Sequence, residues 1–252
     1  MRMTNLRQSR PGRDASLSPL AVVLCAHGTR DGRGQDVVRE LCVQLRRFRP
    51  GVRVEDAYVD VQEPKVQSVV NNLVGLGYRV IVIPLLLSEG YHTEVDVAEA
   101  VRVSDMAVST GPLGPDTFLT NVLWRRLKQA RADSSDAVVV AAAGSSRPQA
   151  TEALHKVAGQ LRELWGGPVS VGFGSSAKPS VGEAVEQARD EGARRVVVGS
   201  YLLGHGFFHS QLGRAGADLV TEPLGAASLV VSRVLAKFDA QVRADRALRR
   251  SA

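Results

Sequence analysis

The sequence predicts an α/β protein assembled from two similar lobes, each a small parallel sheet flanked by helices in flavodoxin-like layering. Three observations carry this. Short runs of Val, Leu, Ile and Ala, too apolar to keep a wet face, alternate with segments of helical period, as parallel βαβ units do. The pattern restarts near residue 137. Landmarks of the first half also return in the second at a nearly constant offset. Gly28 and Gly144, like Gly90 and Gly206, are 116 residues apart; Pro64 and Pro179, like Gly77 and Gly192, are 115 apart. Thr110–Gly114 (TGPLG) returns as Thr221–Gly225 (TEPLG) at 111, which marks a small deletion. Such an internal duplication gives two lobes of about four strands each, residues 20–130 and 137–240, within the usual domain size.

Leu20–Ala26 (LAVVLCA) is a buried strand that delivers His27, Gly28, Thr29 and Arg30 into a loop continued by Asp31–Gly34. Val37, Val38, Leu41, Cys42, Leu45 and Phe48 then repeat at helical spacing, and Pro50-Gly51 ends the helix. Val52–Val59 is a second strand. Glu63 follows, with Pro64 at the expected first helical position. Val66, Val69, Val70, Leu73 and Val74 form that helix's stripe. Arg79–Leu87 is the third strand, Val95–Val103 a short helix and Met106–Thr110 a fourth strand, before a helix carrying Phe118, Leu119, Val122, Leu123 and Leu127. Ala130–Asp136 is polar and reads as a linker. The second half then offers strands at Ala137–Ala143, Val169–Phe173, Arg195–Leu203 and Asp218–Thr221. Trp124 and Trp165 fall on helical stripes and read as core or lobe contacts.

With 252 residues, 44% hydrophobic, the chain has ample material for its cores, and at 5% aromatic it must build them from Val, Leu and Ala. The net charge of +6 is scattered rather than gathered into an aromatic-interleaved stripe, so no nucleic acid is expected, while an anionic small ligand fits. No apolar run reaches membrane-spanning length. Cys25 and Cys42 stand alone, without a CxxC pair, which fits a reducing, cytoplasmic setting. Residues 1–19 are basic and polar, lack the apolar segment of a secretory signal, and read as a disordered tail. Residues 241–252 read as a basic tail, a solvated helix end.

In the first half, polar loops follow three strands: His27 after the first, Glu63 after the second, and Ser88, Glu89, Gly90, Tyr91 and His92 after the third. Parallel strands place all three loops on one edge of the sheet, where open α/β folds bind ligands. Imidazole suits borderline divalent ions such as Fe, Co, Ni and Zn, and a set of three side chains or fewer leaves coordination positions open. Imidazole also accepts protons. Against this, a strand-end histidine commonly serves only as a hydrogen-bonded structural residue, and Glu63 has a rival role at the positive end of the following helix. Gly32-Arg-Gly34 lacks the full phosphate-loop patterns, and no GxSxG motif is present.

These residues resemble the sirohydrochlorin chelatase family, in its double-length form with two fused chelatase-like lobes. The resemblance is carried by AHGTR (Ala26–Arg30), by Glu63-Pro64 and by PLLLSEGYHTEVD (Pro84–Asp96), and covers about residues 20 to 235. It implies an enzyme, a lyase, that inserts Co2+ or Fe2+ into sirohydrochlorin, a polycarboxylate tetrapyrrole, in siroheme or cobalamin biosynthesis. The divalent ion is then a substrate, and no organic cofactor is implied. By the same resemblance His27 and His92 bind metal, His27 is the catalytic proton acceptor, and Glu63, Leu87, Ser88, Glu89, Gly90 and Tyr91 line the tetrapyrrole. Arg30, closing the first motif, joins the substrate-facing set.

The second half departs from this pattern. Ala143 stands where His27 would be, Lys178 where Glu63 would be, and Phe208 aligns with His92. The second lobe is therefore expected to keep shape without metal chemistry. Repeat symmetry turns Arg147, Lys178, His205 and His209 toward the cleft mouth, where a cationic wall would meet substrate carboxylates; ordinary surface cations are the alternative. One chain supplies both walls, so a monomer suffices. Rival functions are a non-enzymatic metal or tetrapyrrole carrier and a flavodoxin-like nucleotide or flavin binder.

Overall fold

The computed structural model describes residues 18–88 and 91–250, the side chains of residues 91–94 and 249–250 excepted. The first repeat runs β1 (Leu20–Ala26), α1 (Gly32–Phe48), β2 (Arg53–Tyr58), α2 (Val66–Gly75), β3 (Arg79–Pro84), α3 (Tyr91–Arg102), β4 (Ala107–Ser109) and α4 (Thr117–Gln129). The second runs β5 (Ala137–Ala142), α5 (Pro148–Trp165), β6 (Val169–Phe173), α6 (Val181–Asp190), β7 (Val196–Ser200), α7 (Phe207–Leu212), β8 (Leu219–Val220) and α8 (Ser228–Arg250). The sheets have equivalent orders, β2-β1-β3-β4 and β6-β5-β7-β8, and every pairing is parallel. The deletion inferred from the falling offset lies at α7, which keeps 6 residues where α3 has 12.

Both faces of each sheet are buried, which is why its strands read as unbroken apolar runs. In β1, Ala21, Val23 and Cys25 face the outer helices α2 and α3, and Val22 and Leu24 face inward. The second sheet does the same, with Val139 and Ala141 against α6 and Val138 and Val140 inward. The two inner faces belong to one continuous core, which joins Leu24, Ile81 and Ile83 to Val138, Val140 and Val197 through α1, α4, α5 and α8. Burying a side chain of this size is worth about 1.5–3 kcal/mol, so the shared core ties the lobes together strongly.

The closing helices of the two repeats are exchanged. Helix α4 packs on β7 of the second sheet, and α8 packs on β3 of the first. Reciprocal hydrogen bonds fasten the exchange. Arg126 on α4 donates through Nε to Pro223 O and through Nη2 to Leu224 O, both at 2.9 Å. On α8, Lys237 Nζ donates to Thr110 O at 2.9 Å and Arg233 Nε to Leu113 O at 2.8 Å. Farther along α8, Asp239 pairs with Arg49 and Asp245 with Arg79, the latter at 2.8 Å. Residues 241–250, expected as a solvated basic tail, are the last turns of this docked helix.

Other expectations shift by short distances for identifiable reasons. Helix α1 begins at Gly32, inside the expected loop, because the Asp31 carboxylate accepts from Arg33 N at 2.9 Å and caps it. Pro64 is not the first helical residue of α2; its carbonyl accepts from Tyr58 N at 2.9 Å, and Lys65 holds the cap position. Strands β3 and β7 end at Pro84 and Ser200 rather than Leu87 and Leu203. Beyond them, the carbonyls of Leu86 and Leu202 are taken by Leu113 N and Leu224 N, at 2.8 and 2.9 Å, outside the sheet ladder. The polar residues 130–136 form no loose linker. Ala132 and Asp136 are buried, and Asp136 accepts from Arg195 at 3.0 Å through its side chain and from Trp165 Nε1 at 3.1 Å through its backbone. Trp165 is accordingly a core residue, and Trp124 packs partly buried against the same core. No helix among the described residues is long and apolar enough to cross a membrane.

Candidate functional site

The chain leaves β1 in one direction to form β2 and returns to β1's other side to form β3. The carboxyl ends of β1 and β3 therefore flank a topological switch point, where a crevice opens between diverging loops. The same point lies between β5 and β7, and the two crevices merge into one cleft of about 990 Å³ walled by both lobes. Equivalent segments face it from each side: Leu85–Leu87 from the first lobe and Tyr201–Leu203 from the second. An apolar wall interrupted by a few polar groups is the usual make-up of a small-molecule site.

His27 stands at the end of β1, exposed, on this wall. The loop that holds it is rigidly made. The His27 carbonyl accepts from Asp60 N at 3.0 Å. Gln62 Oε1 accepts from Thr29 N at 2.7 Å, and Gln35 Nε2 donates to Thr29 O at 2.9 Å. Gly28 has φ +100°, and a Cβ there would lie 3.1 Å from Asp60 O, so the turn after His27 demands glycine on both counts. Gly144 repeats the left-handed turn at φ +88° in the second lobe, but the residue before it is Ala143, which carries no ligand atom. Arg30, Leu87 and Ser88 line the cleft with His27. Asp31 also lines it, and the Arg33 guanidinium hydrogen-bonded to it holds its carboxyl below the ordinary carboxylate value.

The third loop is partly outside the described residues, among them Glu89 and Gly90. Tyr91 and His92, read from sequence as loop, form the first turn of α3, just past the end of β3 on the same sheet edge as His27; their side chains are outside the described set. Among the described residues no three His, Cys, Asp or Glu side chains gather as a metal cage. Cys25, two residues before His27, is no candidate thiolate. Burial, with a contribution from the charge of Asp96, pushes its thiol up to about 12.

Glu63, Arg147 and Lys178 do not line the cleft, contrary to expectation. Glu63 is 74% exposed, and its carboxylate accepts from Lys65 N at 2.9 Å, so its geometry serves the entry of α2. Lys178, 77% exposed, pairs with Glu183 at 2.6 Å, and that bond is the leading cause holding the Glu183 carboxyl at about 2. Arg147 occupies the cap position of α5. Val61 and Ser176 replace Glu63 and Lys178 at the cleft. They are 115 residues apart, the same offset as Pro64 and Pro179, and both have left-handed backbones, φ +34° and +56°. His205 and His209 do reach the cleft. His205 Nε2 lies 2.8 Å from Glu222 Oε2, and the two imidazoles meet edge to face with centroids 4.6 Å apart.

Fold and cleft together define a duplicated α/β protein whose two switch points open into one cleft, with His27 on the wall given by the first lobe. A model of the CbiX family matches the chain twice, over residues 21–130 and 137–240. The chain belongs to the CbiX family. Among curated relatives, the sirohydrochlorin cobaltochelatase of Priestia megaterium is 26% identical over 209 residues, 76% of this chain and 67% of that protein. The sirohydrochlorin cobaltochelatase of Methanopyrus kandleri is 30% identical over 138 residues, 44% of this chain and 96% of that protein, and so corresponds to a single repeat. Among solved structures, SirB from Bacillus subtilis with Fe3+ superposes with a TM-score of 0.75 at 21% identity, over 88% of this chain and 94% of that one, a likeness of fold.

Proposed function

We propose that this protein is a sirohydrochlorin chelatase, a lyase that inserts Co2+ or Fe2+ into the metal-free tetrapyrrole. The reading rests on one observation above all. Both repeats match the family, and the first keeps an exposed His27 on the wall of a cleft large enough for a flat macrocycle. Insertion replaces two pyrrole N–H protons with one divalent ion. As the ion passes to the ring, the freed His27 imidazole takes one of these protons and solvent water takes the other, and the bonds made by Asp60, Gln62 and Gln35 keep the His27 loop in place meanwhile. His92, in the opening turn of α3, shares the incoming ion with it. Few protein ligands are an advantage here, because the ion must leave for the four ring nitrogens. The apolar 85–87 and 201–203 segments shed water from the macrocycle, and Arg30 meets its carboxylates at the rim.

One chain supplies both walls, which supports a monomer as the working unit. Two free, buried thiols, Cys25 and Cys42, support a reducing cytoplasmic setting. The test is catalytic insertion: substoichiometric protein, metal-free sirohydrochlorin and Co2+ or Fe2+, followed by absorption. Many insertions per chain are expected; a plateau at one per chain would establish the carrier instead. The His27→Ala variant should lose insertion and keep its thermal midpoint, since the side chain is exposed. Robust turnover by folded His27→Ala would remove His27 from the mechanism.

A further inference from the structure

Phe207 is 71% exposed, in a chain that has only 6 phenylalanines to build its cores. It lies on the cleft wall contributed by the second lobe. It is the first residue of α7, as Tyr91 is the first residue of α3, and the two are 116 residues apart, the offset of the flanking glycines. The deletion that shortened α7 removed the later turns and left this start in place.

The ring meets one neighbouring ring, and its backbone is tied down. Phe208 packs against it edge to face, with centroids 5.5 Å apart and planes at 74°. Phe208 is itself confined, since a Cβ on Gly174 would lie 3.1 Å from its ring. Ser210 Oγ donates to Phe207 O at 2.7 Å and Ser210 N to Gly206 O at 3.0 Å. Two residues before Phe207, His205 is anchored to Glu222. A large aromatic fixed in position yet left in water contributes little to the fold. Its face is available to a flat, conjugated partner, the geometry that aromatic rings favour.

We infer that Phe207 is the ring-recognition residue of the second lobe, stacking on the planar macrocycle and pressing it toward the wall that carries His27. The inference rests on the chelatase reading and deepens it. The lobe that lost Ala143's histidine counterpart keeps a binding task, carried by an aromatic face rather than by Lys178.

The test is the affinity of the full-length protein for metal-free sirohydrochlorin, followed by quenching of tryptophan emission, together with KM and kcat for insertion. Phe207→Ala should weaken binding about tenfold, the usual worth of one aromatic stack. KM should rise in step and kcat should hold, as for a contact equally strong before and in the transition state. Phe207→Tyr should bind like the wild type. Phe207→Leu, which keeps apolar bulk without a π face, should lose about fivefold. Thermal midpoints should be unchanged, because the ring is exposed. Wild-type affinity in Phe207→Ala or Phe207→Leu overturns the platform while the chelatase reading stands. Failure of the wild-type chain to bind the tetrapyrrole overturns both.

Discussion

Gly34 offers a sharp test of how the lobes meet, because two effects of opposite sign compete there. It is the third residue of α1, and replacing a helical glycine with alanine ordinarily stabilises by about 1 kcal/mol. A Cβ at Gly34, however, would lie 2.7 Å from Thr29 Cγ2 and well inside contact distance of the His205 carbonyl oxygen, which belongs to the other lobe. Thr29 Oγ1 already donates to that carbonyl at 3.4 Å, so the backbone has no simple retreat. Overpacking of this kind costs about 3 kcal/mol at the upper end of its range, which leaves Gly34→Ala less stable by about 2 kcal/mol. For a chain of this size that is a fall of about 4–8 °C in thermal midpoint. Gly32→Ala is the control: it sits on the same helix, with nothing within 4 Å of the added methyl. Urea unfolding of both variants decides the matter. If Gly34→Ala is as stable as Gly32→Ala, the close approach of α1 to the 203–206 segment does not exist in solution.

Arg126→Ala should destabilise the protein by about 2–3 kcal/mol in the same urea assay, because two backbone carbonyls of the other repeat lose a charged donor; Lys237→Ala, with one such bond, should cost about half. A loss under about 0.5 kcal/mol for Arg126→Ala, typical of a free surface residue, would refute the exchanged-helix contact. Cys25 and Cys42 should resist a thiol reagent such as DTNB at pH 8 until denaturant is added, since burial pushes both thiols up to about 12. Rapid native labelling of either would show that the cores around β1 or α1 open readily.

The strands, their repetition and the position of His27 were legible because each follows from a local pattern. A run such as LAVVLCA has no polar face to expose, and the residue after it must lie at the sheet edge. The placement of Glu63 and Lys178 was not legible. It depends on Val61 and Ser176 having positive φ, and a left-handed valine is a choice that no propensity anticipates. That turn carries the next side chains away from the cleft and brings Val61 and Gln62 to it. Gln62 could have been noticed as a polar residue beside the Glu63-Pro64 motif, but its bond to Thr29 N links segments 33 residues apart. The helix exchange was also hidden. Periodicity marks Leu119, Val122, Leu123 and Leu127 as an apolar stripe, yet says nothing about which sheet will cover it. Phe207 was passed over because it aligns with Tyr91 rather than with either histidine.

The trading of α4 and α8 gives the duplication a meaning for how such a chain arises and diverges. Each repeat covers the outer face of its own β3 or β7, but the inner face of that strand borrows its closing helix from the sibling. Joining two siblings end to end makes the loan permanent, and each repeat is then free of the need to resemble the other. One carries Ala143 where the other has His27, and a helix of 6 residues where the other has 12, so a duplicated frame encloses a cleft whose two sides are chemically unequal.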